Sequence, residues 1–312
     1  MQGLYYDGKN TLLRNDLPLP QPLPHESLIR VSLAAICNTD REIMRGYKPD
    51  FTGVLGHEFV GIVEKSNEPS LIGKRVVGEL NEGCGECIYC RTGREKHCEN
   101  RKSIGIVRKD GCFAPYLTLA TRLLFEVPKE LPDALAVHTE PLAAALQIAE
   151  DNHIKPSDEI CVIGDGRLAF LIAQVLALTG AEVTVLGRHE DKLRRFADFA
   201  KTATALDRRF EKVVDACGSP SGTETALRLV RSGGTIIQKS TYAGSASVNL
   251  SAFAVNEITL KGSRCGPFAP ALRLMSRGLL NLPEIELHSL SNWQEAFESS
   301  AFKVGFDLNK EQ

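Results

Sequence analysis

Along the first 135 or so residues, apolar side chains come in short runs separated by Gly, Pro and Asn, as in "SLIRVSLAAI", "FVGIVEK" and "KRVVGEL". None carries a long helical period, and bounded runs of this kind predict strands. From about Glu140 the texture changes. "EPLAAALQIAEDN" has helical spacing and a helix-forming composition. It leads into "DEICVIGDGRLAFLIAQVLALTGAEVTVLGR", an apolar strand, a glycine turn, a helix and a second apolar strand, which together make a βαβ unit. Further strands are predicted at "KVVDACG", "GGTIIQKS" and "ITLKGS", with the helix-like "GTETALRLVRS" between the first two. Strands that alternate with helices imply a parallel sheet covered on both faces. After Gly278 the pattern turns irregular again, so the tail is expected to return to the first domain. The expected division is a β-rich domain over 1–140 plus 279–312 and an α/β domain over 141–278.

Composition adds mainly exclusions. The 312 residues are 43% hydrophobic and 24% charged, enough for two globular domains. A net charge of −2 gives no attraction to nucleic acid or to an anionic membrane. No apolar stretch approaches the roughly 20 residues that span a bilayer. The N-terminal residues lack a basic region followed by an apolar run, so no secretory signal is expected and a reducing cytoplasm is the expected compartment.

In that compartment clustered cysteines bind metal more often than they form disulfides. Four of the nine cysteines, Cys84, Cys87, Cys90 and Cys98, fall inside "CGECIYCRTGREKHC". Four thiolates suit a closed tetrahedral zinc site, which staples a loop but leaves no position for substrate. An iron–sulfur cluster also takes four cysteines, at a different usual spacing, and a thioredoxin-like pair belongs beside a βαβ turn. Structural zinc is therefore the preferred reading, and the chemistry is expected elsewhere.

Upstream, "AAICNTDREI" and "GVLGHEFVG" each place metal ligands beside a strand: Cys37 in the first, His57 and Glu58 in the second. Catalytic zinc takes about three protein ligands and keeps one position open. Together with the cysteine quartet, and with "GCFAPYLTLA", "TEPLAAAL", "KVVDACG", "RSGGTII" and "ITLKGS" in order, these motifs resemble the zinc-containing medium-chain dehydrogenase/reductase family of alcohol, polyol and threonine dehydrogenases. The resemblance covers nearly the whole chain. It implies a Rossmann doubly wound parallel sheet inserted in a GroES-like β-rich catalytic domain, with the active site in the cleft between them. It also implies catalytic zinc on Cys37, His57 and Glu140, with Glu58 entering or supporting the ligand set; His138 is a less favoured substitute for Glu140. Thr39 aligns with the hydroxyl that touches the substrate oxygen, and Asp40 with the carboxylate that orients the ligand histidine. One departure lies at Glu42, where many members carry a histidine in the proton relay.

The turn "VIGDGRLA" offers Gly164 and Gly166 for the tight turn and for close approach of a pyrophosphate, with Ala169 at the third small position. Arg167 and Leu168 open the helix whose N-terminus would face the phosphates. At the end of the next strand, where an NAD enzyme usually offers Asp or Glu, stand Gly187 and Arg188. Loss of the carboxylate and gain of a guanidinium favour NADP(H) over NAD(H), with Lys192 and His189 as possible helpers. Only "DRRFE" separates "TATAL" from "KVVDACG", so the crossover helix common in the family is expected to be missing. Lys239, Ser240, Ser263 and Arg264 are expected at strand ends.

The expected function is reversible hydride transfer between an alcohol or polyol, or its carbonyl, and a nicotinamide cofactor, with two zinc ions per chain, one catalytic and one structural. Neither nucleic acid nor membrane is an expected partner, and family analogy implies a homodimer or homotetramer. The rivals are a zinc-independent reductase of the same fold and a non-catalytic nucleotide-sensing zinc protein.

Overall fold

The strand-forming runs of the first region pair into one large sheet and two small ones in the computed structural model, which describes residues 1–242 and 244–309. The long strand Glu26–Ala35 is central and buried along most of its length. It pairs antiparallel with Glu58–Lys65 on one side. Its other side is shared between Tyr116–Ala120 and the C-terminal strand Val304–Asp307. Arg75–Gly78 and Leu124–Glu126 extend the sheet beyond Glu58–Lys65, and Glu286–His288 extends it beyond Val304–Asp307. The irregular tail thus completes the first sheet, and an aromatic cluster explains why it stays there. Phe306 meets Phe113 edge-on with ring centroids 5.0 Å apart, and both are fully buried. Burial of each ring contributes about 2–3 kcal/mol.

A small sheet anchors the cysteine segment. Asn81–Glu82 pairs antiparallel with Lys102–Ile104, so the chain leaves at Glu82 and returns at Lys102 on adjacent strands.

The second region is a six-stranded, wholly parallel sheet. Its order is Lys201–Ala203, Glu182–Leu186, Glu159–Ile163, Phe210–Asp215, Val230–Gln238 and Thr259–Gly262. Numbered by appearance this is 3-2-1-4-5-6, the doubly wound order of dinucleotide-binding folds, with its reversal beside Glu159–Ile163. Helices Arg167–Ala177 and Pro220–Leu229 provide the cover expected of such a sheet. Between Lys201–Ala203 and Phe210–Asp215 the chain crosses over in residues 204–209 without a helix, as the short "DRRFE" segment implied.

Two compact units result: Met1–Glu140 together with the segment from Phe268 onward, and Pro141–Pro267. The second crossing between them precedes the expected boundary at 278/279, because helix Phe268–Ser276 packs with the first unit. There Phe268 stacks on Phe125 at 5.6 Å. Among the described residues no helix is long and apolar enough to cross a membrane.

Candidate functional site

Cys37 follows the central strand and caps helix Asn38–Met44. Its backbone N–H donates to Asp40 Oδ2 at 2.8 Å, which fixes the carboxylate of Asp40 inside the first turn. Asp40 is fully buried. Its other oxygen, Oδ1, lies 3.2 Å from Nδ1 of His57, and neither atom has a better partner. His57 is delivered by the turn before strand Glu58–Lys65. Gly56 in that turn has φ +93°, and a Cβ there would come within 2.5 Å of the Phe113 ring. Glycine is therefore required, and the histidine's position is locked to the aromatic core.

With Nδ1 facing Asp40, the other ring nitrogen of His57 is left for a metal. One ligand atom each from Cys37, His57 and Glu58 lies within 4.8 Å of the other two. Burial pushes the His57 imidazole down, but the Asp40 carboxylate and the Cys37 sulfur outweigh it and hold the ring well above its ordinary value. Surroundings that favour positive charge at the ring suit a cation held between a sulfur and an imidazole, and a carboxylate behind the ligand histidine sets its tautomer. Cys37 Sγ also stands 3.7 Å from the Thr39 hydroxyl. These donors fit a zinc ion.

Other expected members are placed differently. Glu58 is buried and ion-paired with the equally buried Lys303, which the sequence analysis did not single out. Its only signal was a lysine inside the apolar run "AFKVGF". Glu140 sits in the first turn of helix Thr139–Asp151, outside the Cys37–His57–Glu58 cluster. His138 spends Nε2 on the carbonyl of Pro283 at 3.0 Å, and burial followed by the charge of Lys303 lowers it to about 4. It stays neutral as a hydrogen-bond donor. Glu42 binds Arg45 at 2.9 Å, one turn along its own helix. Cys112, buried beside the cluster, donates its thiol to the backbone oxygen of Glu58 at 3.5 Å; burial holds that thiol well above its ordinary value.

The four cysteines of the segment 84–98 converge, each ligand sulfur within 4.8 Å of the others, and all are free thiols. Cys87 and Cys90 sulfurs are 3.5 Å apart, and those of Cys84 and Cys90 are 4.0 Å apart. Tetrahedral zinc with bonds of about 2.3 Å separates its sulfurs by about 3.8 Å. Disulfides need a far shorter contact. An iron–sulfur cubane, with one iron per cysteine, would spread the sulfurs further. Backbone N–H groups of Glu86 and Cys87 draw the Cys84 thiol down to about 7, whereas burial first and then the neighbouring cysteines push that of Cys90 up to about 12. A third group, His25, Glu26 and Glu82, is held by internal partners: His25 meets Glu82 at 3.0 Å and Lys109 pairs with Glu26.

In the second unit, Gly164 has φ +126° and a Cβ there would press on the carbonyl of Ala216 at 2.8 Å. Gly166 caps helix Arg167–Ala177, and a Cβ there would meet nothing within 4 Å. An open N-terminus on an eleven-residue helix, preceded by a turn that only glycine permits, fits a pyrophosphate. Arg167 and Leu168 open that helix, and buried Ala169 packs it on the sheet. At neighbouring strand ends, fully buried Asp215 accepts from Ser240 and Gln238 at 3.1 and 2.9 Å, and Lys239 reaches Ser263 at 3.3 Å. Asp215 lies in "KVVDACG", which the sequence analysis used only as a strand.

Residues 23–129 match the alcohol dehydrogenase GroES-like domain family. D-arabinitol dehydrogenase 1 of Uromyces fabae is 29% identical, over 96% of this chain and 94% of its own length. A protein assigned as a zinc-binding dehydrogenase from Sinorhizobium meliloti 1021, solved bound to NADP, superposes with a TM-score of 0.87 at 26% identity, over 98% of both chains. A short chain alcohol dehydrogenase of Escherichia coli CFT073, solved with NADH, gives a TM-score of 0.87 at 23% identity, over 98% of this chain and 99% of that one.

Proposed function

The chain belongs to the zinc-type medium-chain dehydrogenase/reductase family, and from that premise we propose that it interconverts an alcohol or polyol with its carbonyl by hydride exchange with a nicotinamide dinucleotide. The observation that carries this reading is the double engagement of Asp40, which holds Cys37 through its backbone and His57 through Nδ1. One buried carboxylate thereby sets the direction of both ligands. Cys37 and His57 would hold a zinc ion. Glu58 or Glu140 would supply the third donor, and the four cysteines would hold a second zinc. When bound, the metal supplies Lewis acidity to a substrate oxygen and the nicotinamide supplies the hydride acceptor.

This chain's own residues do the rest. Thr39, beside Cys37, would accept the hydroxyl proton of the substrate while passing its own on to solvent. Lys303 balances the charge of Glu58, so the cluster does not carry three uncompensated anions. Gly164, Gly166 and the N-terminus of helix Arg167–Ala177 receive the phosphates. Whether the dinucleotide carries a 2′-phosphate, as Arg188 beside Gly187 would favour, is decided by a residue argued below.

A reducing cytoplasm is the proposed compartment, because clustered cysteines that bind metal are commoner there than disulfides. A homodimer is proposed through the sheet edge Thr259–Gly262, where Leu260 is half exposed beside exposed Val255 and Leu250; sedimentation at micromolar concentration tests it.

The test of function couples metal content to turnover. Protein purified without chelator should contain two zinc ions per chain and oxidise members of an alcohol and polyol panel. Asp40→Asn should lose about 10–100-fold in zinc affinity at one site only, with a matching loss of turnover. Turnover that persists at full rate after that zinc is removed would sink the metal-assisted mechanism.

A further inference from the structure

The strand Glu182–Leu186 ends at Gly187, where dinucleotide-binding folds usually present the carboxylate that binds the adenosine ribose. The absence of an acid at this position is what made NADP(H) the expectation from sequence. The space is nevertheless filled. A Cβ on Gly187 would lie 2.8 Å from Cβ of Asp165 and 3.0 Å from its Oδ2. Asp165 is the residue between the two glycines of the phosphate-binding turn. Its side chain therefore crosses from the end of one strand to the end of the next and stands where a side chain at 187 would stand.

Its contacts are those of a bound anion. Oδ2 accepts the backbone N–H groups of Arg188 at 2.8 Å and His189 at 3.0 Å, and meets His189 Nδ1 at 2.9 Å. Consecutive N–H groups at a strand end form the kind of nest that receives a phosphate. Here the protein's own carboxylate occupies it. All three contacts fall on Oδ2, and the Asp165 side chain keeps 13% of its exposure, so Oδ1 remains for a hydroxyl donor. The guanidinium of Arg188 is turned elsewhere, with Nη2 on Ser221 Oγ at 3.0 Å.

We infer that Asp165 sets cofactor choice in this chain: its carboxylate replaces the missing strand-end acid, accepts the ribose hydroxyls of NAD(H), and excludes the 2′-phosphate of NADP(H). The inference rests on the dinucleotide reading of this unit. A 2′-phosphate, at about −1.5 to −2 charges if it behaves like other phosphomonoesters, would compete with Asp165 for the same N–H groups and repel it at contact distance. A ribose hydroxyl meets neither penalty, because it donates to the carboxylate.

Equilibrium binding of NADH and NADPH to the full chain, followed by calorimetry, tests this without any substrate. Wild-type protein should bind NADH at least about tenfold more tightly than NADPH, and Asp165→Asn, which keeps the shape and can still accept the two N–H groups, should move that ratio toward NADPH by about tenfold or more. Arg188→Ala should leave the wild-type ratio within about threefold, because its guanidinium is committed to Ser221. Tighter NADPH binding by the wild type, or a ratio unmoved by Asp165→Asn in a variant that melts normally, overturns the assignment and leaves the oxidoreductase reading standing. Failure of both nucleotides to bind at millimolar concentration would remove the oxidoreductase reading and this inference with it.

Discussion

Two clusters of metal-ligating groups lie in the same unit and are built in opposite ways. The segment 84–98 supplies four donors of one kind from fifteen consecutive residues, tied at its base by one pair of short strands. The cluster at Cys37, His57 and Glu58 mixes sulfur, nitrogen and oxygen. Every one of its donors is held by something distant or buried: Asp40 inside the helix turn, Phe113 behind Gly56, and Lys303 some 245 residues from Glu58. The first arrangement can close around a metal but has little core of its own, since Cys98 alone among its ligands is buried. The second is already rigid before a metal arrives. Metal at the first should therefore register as stability, and at the second as chemistry.

The largest expected effect separates the two directly. Cys98→Ser removes the buried ligand of the closed site and should cost on the order of 5 kcal/mol or more, a fraction of the affinity of a four-ligand zinc site. It should appear as a large fall in melting temperature and the loss of one zinc. Cys37→Ser should leave melting nearly unchanged, remove the other zinc, and reduce turnover by about a thousandfold or more. Equal losses of stability in the two variants would erase the distinction.

A somewhat smaller effect is expected at Lys303. Lys303→Met leaves the buried carboxylate of Glu58 without its counter-charge and should cost about 3–5 kcal/mol in metal-free protein. Metal bound by Glu58 would compensate that charge, so loaded protein should lose less. The double variant Lys303→Met, Glu58→Gln should recover much of the loss. Thermal melts of the wild type and these two variants, with and without zinc, decide whether Glu58 faces the metal or only the lysine.

How far these features could be read from sequence follows the same division. The closed site was legible because its ligands are contiguous, and spacing alone brings four sulfurs together. The strands at "SLIRVSLAAI" and "FVGIVEK", the helix at "EPLAAALQIAEDN" and the parallel sheet were legible because their apolar periods match their burial. Lys303 and Asp165 were not. A buried lysine and an acidic residue in a glycine turn look like solvated side chains until the partner is known, and both partners are far along the chain. Glu140 is a different case: only a motif names it as a ligand, and it sits in the first turn of helix Thr139–Asp151. Boundaries also depended on packing, since helix Phe268–Ser276 stays with the first unit through Phe125.

The second unit supplies a buried ion pair with no metal ligand beside it, and so a reference for Lys303. Asp158 pairs with Lys212 at 2.7 Å and accepts the N–H of Lys155 at 2.8 Å. Burial alone would raise this carboxyl, but its bonds to Lys212 and the Lys155 N–H outweigh burial and lower it. A lowered carboxylate contributes stability that is complete above its unfolded value, near pH 4, and is lost as pH falls through its folded value. Asp158→Asn should cost about 1.5–3 kcal/mol at neutral pH, independent of zinc. The difference from wild type should shrink in acid, below about pH 4. If zinc changes this cost as much as it changes that of Lys303→Met, the response at Lys303 is global and says nothing about Glu58.

The smallest effect is expected at Glu42, and it tests how open the second cluster is to solvent protons. The position is one where a relay histidine is common in the family, which would make Glu42 the exit for the proton taken by Thr39. The structure instead commits its carboxylate to Arg45 at 2.9 Å, a pair three residues apart on one short helix. Such pairs contribute about 0.3–0.5 kcal/mol, so Glu42→Gln should shift stability by no more than that. It should change turnover less than about twofold and leave the pH–rate profile in place, because a residue that does not carry the proton contributes no ionisation to it. A displaced acidic limb, with turnover restored by Glu42→His, would instead place Glu42 on the proton's path and show that the Arg45 pair opens during the reaction.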